Sequence, residues 1–527
     1  MATAEPNSVA PTGNAYVDSL LWGDRWDQSD GPISYEFWRT WRTFDWQDAE
    51  KAAFRSALAS WSDVADVTFR EAVGERTDLN FLLRDLDGPY AMQVGPDGTT
   101  EQGQGAFDRE AFVDWFGQLR PGGFAYETIV HELGHALGLA HPHDDGGQST
   151  IFPGVTAYEW WDTGDYHLNT ALNTVMSYND LGESWSPGVE AAYGYVVGPM
   201  AFDIAAVQHI YGANMATRTG DDGYSLPGSD RIGTAYSCIW DAGGVDRISY
   251  RGSLDVVIDL RPAPLVGSKA GGYLSRADGV HGGFTIANGV IIERAYAGSG
   301  DDSLTGNDAV NYLAGAAGAD VLRGGRGNDV LAGGAGADSL YGGTGRDAAD
   351  YRKSAAAVAV DLTRGTGTAG DARGDLLSSI ESLIGSDGDD LLAGSAGGDR
   401  MTGGDGADRL LGRGGDDRLY GGDGGDRLWG GDGDDILTGG AGNDRLEGGS
   451  GDDRFYAGLG RDVVDGGAGA DWVALAADRS DYRARAYDDG RLFLVRDGEI
   501  VVLADVEVLR FTDGVVAFAA VFDDALL

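Results

Sequence analysis

The residues with the most chemical potential in this 527-residue chain stand in one stretch, His131-Glu132-Leu133-Gly134-His135-Ala136-Leu137-Gly138-Leu139-Ala140-His141. On a helix His131 and His135, four residues apart, share a face, so both imidazoles can reach one ion at about 2.0–2.1 Å. Glu132 stands beside that ion without ligating it. Gly138 accepts a backbone conformation that other residues resist, so the helix can end there and the chain can turn back to deliver His141 as a third ligand. Three protein ligands leave zinc an open position for water, the mark of a catalytic rather than a structural site. The string is a known catalytic motif, in which zinc activates water and polarises a carbonyl while Glu132 acts as general base. The chemistry it points to is metal-assisted hydrolysis of a peptide bond. The chain has only 7 His, so the concentration of three here argues against ordinary histidines on an amphipathic helix. His143, His167, His209 and His281 lack such spacing and are read as non-ligands.

Downstream, Thr174-Val175-Met176-Ser177-Tyr178 resembles the Met-turn of the metzincin proteases, in the Met-Ser-Tyr form of the serralysin family. That resemblance implies that Met176 lies beneath the metal and that Tyr178 reaches the zinc as a further ligand. A phenol so placed can leave the metal when substrate arrives and hydrogen-bond the oxyanion of the tetrahedral intermediate. The similarity extends along most of the chain. Asn14 to Gly23 resembles the helix that opens the serralysin protease domain, and Ile33-Ser34-Tyr35-Glu36-Phe37 its first strand. Residues 57–62 and 67–69 follow with a helix-then-strand pattern, and Pro199 to Gln208 reads as the closing helix. An aromatic insert with Tyr158, Trp160, Trp161 and Tyr166 lies between His141 and Met176, where it could shape a substrate cleft.

The second signal is a repeat. From Ala297 the chain runs in units of the form G-G-x-G-x-D-x-U-x, the pattern of calcium-binding RTX β-rolls, with Gly324 to Ala332 and Gly333 to Tyr341 as clean copies in register. Glycines allow a tight turn whose carbonyls, with the sixth-position aspartate, supply the hard oxygens calcium prefers. Candidate ligands are Asp302, Asp320, Asp329, Asp338 and Asp347 in a first block. A second block supplies Asp390, Asp399, Asp408, Asp417, Asp426, Asp435, Asp444, Asp453, Asp462 and Asp471. Two nonapeptides make one coil, and stacked coils place Leu304, Leu313, Leu322, Leu331 and Leu340 in a shared core. Without calcium the tract is expected to be disordered. Arg409, Arg418, Arg427, Arg445 and Arg454 follow the aspartates at an outward position. They are read as partial neutralisation of the aspartate columns, with an anion-binding stripe as the alternative. Between the blocks the glycine register lapses, though Val358, Val360 and Leu362 keep alternating apolar positions, so a strand-rich cap or spacer is expected.

At the junction Trp240 to Asp246 resembles a serralysin calcium loop, which implies ligands at Asp241, Gly243 and Asp246, the carbonyls of Arg218 and Gly220, and the Glu293 carboxylate. Several structural calcium ions and one catalytic zinc are therefore the implied cofactors. A formal net charge of −45, from 84 Asp+Glu against 39 Lys+Arg, argues against nucleic acid or anionic membranes as partners. Cys238 is the sole cysteine, so no intrachain disulfide is available and metal is the obvious source of stability. Residues 1–14 lack a basic and apolar leader, and no window approaches a transmembrane span. With the RTX resemblance this implies one-step type I secretion, and the closing Val521 to Leu527 resembles the acidic-then-apolar tails of such substrates.

The expected fold is α+β: a metzincin-type protease domain, an RTX parallel β-roll and a C-terminal antiparallel β region. Expected boundaries are 1–13 (extension or short propeptide), 14–220 (protease), 221–296 (β-rich calcium junction), 297–350 (first roll block), 351–384 (spacer), 385–474 (second block) and 475–527 (C-terminal β region). In the last of these, Asp497-Gly498 between two apolar runs is a hairpin turn. The expected function is a secreted, monomeric, calcium-stabilised zinc endopeptidase acting on proteins and peptides, with the type I secretion machinery and a proteinaceous inhibitor as partners the family admits. The alternative is a calcium-organised surface or adhesion protein that uses a protease-like domain for binding. Glu132 beside a complete ligand set favours the enzyme, because a binding domain needs no base.

Overall fold

The structure, a computed structural model, describes residues 3–5, 9–40, 43–84, 90–93, 103–108, 119–145, 149–159, 161–179, 193–487 and 489–521. The chain divides into two compact units, one of Met1–Tyr250 with Val256–Ile292 and the other of Arg251–Asp255 with Glu293–Leu527.

In the first unit five strands form one sheet: β1 (Ile33–Phe37), β2 (Phe69–Glu71), β3 (Leu79–Arg84), β4 (Tyr90–Gln93) and β5 (Gly103–Asp108), in the order β2-β1-β3-β5-β4. The first four neighbours in that order run parallel, and β4 pairs antiparallel with β5 at the edge. Leu79 to Leu83 is buried without alternation, as expected for a parallel strand covered on both faces. The helices among the described residues of this unit are α1 (Ala15–Asp18), α2 (Asp48–Val64), α3 (Phe124–Ala136) and α4 (Ala201–Tyr211).

Helix α2 buries Ala53, Phe54, Ala57, Leu58 and Trp61, a stripe spaced by three and four residues. Its Phe54 ring lies 4.8 Å from Phe107, 5.0 Å from Phe81 and 5.1 Å from Trp46, so aromatic packing holds the helix on the sheet. The Trp61 indole N–H donates to the Val130 carbonyl of α3 at 3.2 Å, which ties the histidine-bearing helix to the same core. Further on, Gly223–Ser225 pairs in parallel with Arg247–Ser249, and Val256–Asp259, Ser275–Ala277, Gly283–Ile286 and Tyr236–Ile239 pair in succession.

The second unit is a parallel β-roll. Residues 18 apart pair across successive coils, Leu304 with Leu322 and Leu322 with Leu340 on one face, Leu313 with Leu331 on the other. An offset of two nonapeptides is what the repeat requires, and these leucines are all 0% exposed. The second block repeats the arrangement with Leu392, Leu410, Leu428 and Leu446 opposite Met401, Leu419, Leu437 and Phe455. Across the stretch between the blocks the ladder continues rather than stopping. Leu376–Ser378 pairs with Ser339–Tyr341, Ser382–Ile384 with Ala348–Asp350, and Ala359–Asp361 with Leu391–Ala393. Val358 and Val360 are buried there, so the lapse in glycine register marks longer loops on an unbroken sheet.

At the C-terminal end Arg483–Ala486, Leu492–Arg496 and Glu499–Ala504 form an antiparallel set. Its tight turn has Asp497 at φ 50° and Gly498 at φ 95°, the left-handed pair that two-residue hairpins need. Among the described residues no helix is long and apolar enough to cross a membrane.

Because each coil of the roll contributes only one aliphatic side chain per face, Leu428→Ala should cost about 2–5 kcal/mol. Denaturant titration of the calcium-loaded protein, followed by circular dichroism, measures that loss; a midpoint equal to wild type would show that the inner column is not what holds the coils together.

Candidate metal centres

Helix α3 presents His131, Glu132 and His135 within its last two turns, and the chain then reverses at Gly138, whose φ is +94°. A Cβ at Gly138 would meet the Asp24 carbonyl at 2.4 Å, so no other residue allows residues 20–24 to pack so close. There the Trp22 N–H donates to the Gly138 carbonyl and the Ala140 N–H to the Leu20 carbonyl. This pins the strand that carries His141 back over the helix.

The three imidazoles converge. His141 Nε2 lies 3.2 Å from His131 Nε2 and 2.9 Å from His135 Nε2. Each opposite ring nitrogen faces an acceptor: His131 Nδ1 the Val175 carbonyl at 2.7 Å, His135 Nδ1 the Leu139 carbonyl at 2.8 Å and His141 Nδ1 the Asp144 carboxylate at 2.8 Å. Those contacts place the ring protons on Nδ1 and leave three Nε2 lone pairs pointing at one another. No proton is left to satisfy them, and a cation at their meeting point does. Burial and the neighbouring rings hold His131 well below the usual imidazole range and His135 at about 3, so both stay neutral and available as ligands. The donor set thus fits zinc.

Glu132 is 7% exposed on the same helix, and burial pushes its carboxyl up to about 8, the direction that lets a base retain a proton it has taken. Met176 is fully buried, and a Cβ at Gly134 would come 2.5 Å from its sulfur, so Gly134 lets the turn sit directly against α3. The Tyr178 ring stacks on His131 at 5.3 Å and lies 4.7 Å from His141. Burial, then the Glu132 and Asp144 charges, push its phenol up to about 12, so it remains a hydrogen-bond donor.

Three residues not foreseen from the sequence shape this site. Asp144 orients His141. Asp203, fully buried on α4, accepts from the Val175 N–H at 2.7 Å and the Met200 N–H at 2.8 Å and so braces the Met-turn. His143, read as a non-ligand, lies with its ring 5.0 Å from His141 and 5.5 Å from Tyr178 and can share a cation with His141 and Asp144. An acid three residues after the last histidine was a visible signal for Asp144; Asp203 had none. Of the aromatic insert, Tyr158, Trp161 and Tyr166 are exposed and the Tyr158 N–H donates to the His143 carbonyl, while Trp160 lies outside the described residues.

At the junction loop Asp241 and Asp246 come together with Asp222, which sequence reasoning missed although it follows Gly220 by two residues. The Asp222 N–H donates to Asp246 at 2.7 Å, and Asp241 accepts from the Gly243 N–H and the Tyr224 hydroxyl. Gly244, at φ +140°, lies where a Cβ would be 2.0 Å from the Gly220 carbonyl, and the Ala242 N–H reaches the Arg218 carbonyl at 3.2 Å. Glu293 belongs to the second unit, where its carbonyl accepts from the Tyr312 N–H.

Twelve of the roll aspartates follow one rule. In each of these, Oδ1 accepts from the backbone N–H of the residue one coil earlier, as Asp408 does for Asp390 and Asp426 for Asp408, at 2.8 and 2.9 Å. Oδ2 is buried with no hydrogen-bond donor in Asp320, Asp329, Asp338, Asp347, Asp408, Asp417, Asp426, Asp435, Asp444, Asp453, Asp462 and Asp471. Beside it is a cradle that glycine keeps open: a Cβ at Gly421 would sit 2.2 Å from Asp426 Oδ2 and 2.5 Å from the Gly439 carbonyl. A carboxylate oxygen and a carbonyl facing one void are calcium chemistry. Three predicted ligands differ. The Oδ2 atoms of Asp302, Asp390 and Asp399 accept from the N–H groups of Gly298, Ser386 and Ser395. The columns end on acids outside the repeat register: Asp375 receives the Asp338 N–H, Glu381 that of Asp347 and Glu507 that of Asp471. The arginines that follow the aspartates are exposed, as expected, and form no ion pair with these columns among the described residues. The aspartates are buried at the turns, while the arginines point outward from the strands.

Comparison with known proteins agrees with this geometry. The matrixin profile matches residues 25–157, and that of the RTX calcium-binding nonapeptide repeat (4 copies) matches 292–322, 315–348, 384–419, 411–446 and 438–473. The chain carries a matrixin domain followed by RTX repeats. It is 32% identical to a serralysin of Proteus mirabilis over 55% of this chain and 59% of that one. Identity is 33% to metallopeptidase AprA of Pseudomonas marginalis (50% and 55% covered) and 36% to serralysin G of Dickeya chrysanthemi (49% and 53%). The chain thus spans a little over half the length of these relatives. An extracellular lipase, LipA from Serratia marcescens, aligns over 58% of this chain and 68% of its own at 17% identity, with a TM-score of 0.16.

Burial pushes Asp320, Asp338, Asp408, Asp417, Asp435, Asp453 and Asp462 of the RTX columns up to about 7 and Asp329 and Asp426 up to about 6. A carboxyl raised on folding binds more protons folded than unfolded, so metal-free stability is retained at acid pH and lost as pH rises through the range from about 4 to 7. In chelator, therefore, the β signal of the roll should be stronger and melt higher at pH 5 than at pH 8, and millimolar calcium should abolish the difference. Equal melts at both pH values in chelator would show that the carboxylates are accommodated without either proton or metal.

Proposed function

We propose that this chain is a calcium-stabilised zinc endopeptidase that hydrolyses peptide bonds in proteins outside the cell. The observation that supports this most directly is the convergence of three imidazole Nε2 atoms beside a buried carboxyl. His131, His135 and His141 would hold the zinc, with Tyr178 within reach of the same centre. When bound, the ion supplies a polarising charge for the scissile carbonyl and acidifies water.

The chain's own residues do the rest. Glu132 takes the proton of the attacking water and delivers it to the leaving amine as the C–N bond breaks, a role suited to a carboxyl raised by burial. Tyr178, kept protonated, donates to the oxyanion of the tetrahedral intermediate. Asp144, Val175 and Leu139 keep the histidines in one tautomer throughout the cycle. The exposed Tyr158, Trp161 and Tyr166 of the aromatic insert are available to substrate. In the proposed life history the repeats pass a type I secretion channel unfolded and fold on meeting extracellular calcium, each site adding about 2.7 kcal/mol when calcium is a hundredfold above its Kd.

Glu132→Ala should lower kcat on a casein or peptide substrate by about 10²–10⁴-fold while zinc content, read by atomic absorption, stays at the wild-type level. Retention of most activity would remove the mechanism. Tyr178→Phe should lower kcat on the order of 10²–10³-fold with little change in metal content, whereas an equal loss of zinc would make the phenol chiefly a ligand.

A further inference from the structure

One face of the RTX roll departs from the charge of the rest of the chain. Strands that begin at Arg400, Arg418, Ile436, Arg454 and Trp472 lie side by side in register, with Val508–Phe511 continuing the row. In each the second residue is buried, so the first and third point outward and form two columns along the face. The first column carries Arg400, Arg418 and Arg454, all exposed. The second carries Thr402, Tyr420, Thr438 and Tyr456, a hydroxyl on four successive rungs. No acidic residue stands in either column from Ser382 to Arg510, although the chain has 84 Asp+Glu.

These groups have few partners. Among the described residues no carboxylate lies within ion-pair distance of Arg400, Arg418 or Arg454, and no hydrogen bond engages the four hydroxyls. On the opposite face Arg409, Arg427 and Arg445 form a like column, but there Arg445 is paired with Glu447 and the outward column beside it carries Glu447 and Asp465. Adjacent guanidinium groups on strands about 4.8 Å apart repel one another, so this column weakens the roll it decorates. Arg400 lies over the Tyr420 ring at 5.2 Å, and at the end of the row Arg510 lies over Trp472 at 3.8 Å. Stacked in this way a guanidinium keeps its donor edge free for a planar acid.

We propose that this face binds an extended acidic polysaccharide, a polymer of uronic acid residues. Such a chain repeats a carboxylate, several hydroxyls and an apolar C–H face on every ring. The arginine column answers the carboxylates, the Thr/Tyr column the hydroxyls, and Tyr420, Tyr456 and Trp472 the ring faces. Single-stranded nucleic acid is the other polymer that uses cations with aromatics, but it binds a deep positive groove, and here the basic strip is flat and narrow on a chain of net charge −45. A glycan held at short range by forked hydrogen bonds and hydroxyl pairs depends less on long-range attraction.

The test is affinity of the full calcium-loaded chain for short galacturonate oligosaccharides, measured by calorimetry, beside neutral dextran oligomers and single-stranded DNA. Binding is expected for the galacturonate alone. The triple variant Arg400→Gln/Arg418→Gln/Arg454→Gln should weaken it by roughly tenfold or more, and Tyr420→Ala/Tyr456→Ala by a similar factor. Arg409→Gln/Arg427→Gln/Arg445→Gln makes the same charge change on the opposite face and should leave affinity unchanged. Calcium titration by circular dichroism establishes that each variant folds, and any that does not is replaced by the corresponding single substitutions. The proposal is overturned if galacturonate does not bind, if dextran or DNA binds as tightly, or if both arginine triples weaken binding equally.

Discussion

A buried lone pair that no donor reaches is costly, on the order of 1–3 kcal/mol for a neutral group and more for a charged one. This chain contains such atoms in quantity and in order. Three imidazole nitrogens meet at the end of α3, and a carboxylate oxygen recurs on coil after coil of the roll. In both places the alternative partner is engaged: each histidine donates through Nδ1, and each aspartate accepts a backbone N–H through Oδ1. The remaining atom is thereby fixed in direction and given no protein donor of its own. Cations are the species that satisfy many convergent acceptors at once, so the metal requirement follows from hydrogen bonding already used up elsewhere.

The parts legible in the sequence are those whose geometry is local. Histidines four residues apart on a helix share a face whatever surrounds them, and a glycine six residues after Glu132 marks the reversal that returns His141. A nine-residue repeat likewise fixes its own coil, and its leucines are buried where the repeat places them. What escaped were residues that act across long separations. Asp203 meets Val175 from 28 residues away, and Glu381 and Glu507 receive backbone N–H groups 34 and 36 residues distant. Nothing in their sequence neighbours sets them apart from the chain's other acids. The outward position of the arginines, by contrast, was legible, because it follows from the alternation of a strand.

Glycine has separate duties in the two units. At Gly138 and Gly134 it removes bulk so that the Asp24 carbonyl and the Met176 sulfur can press against the metal-bearing segment. These are single positions at which one methyl group would displace a ligand or its support. In the roll, glycine keeps open a space between the Asp426 carboxylate and the Gly439 carbonyl, and the same void returns at Gly430 beside Asp435. At the start of each block the second residue of the repeat, Gly298 in the first and Ser386 and Ser395 in the second, closes its N–H on the aspartate oxygen that elsewhere faces the void. The repeat therefore grades its own sites, and the start of the second block is held by protein hydrogen bonds where later coils are left for calcium.

The two kinds of centre consequently stand in opposite relation to folding. Around the histidines, every orienting contact is made by backbone carbonyls, Asp144 and a packed aromatic core, none of which needs the ion. That centre is preorganised, and a metal entering it meets ligands already aimed, which is what a catalytic site requires if its geometry is to survive each turnover. In the roll the backbone can form its ladder only by stacking carboxylates whose burial pushes them towards neutrality. There the structure and the cation are assembled together, because the unfolded chain leaves the same carboxylates hydrated and at ease. The two kinds of centre thus differ in what the ion supplies: at the histidines it meets ligands aimed by other contacts, and in the roll it would satisfy carboxylates that the ladder itself brings together.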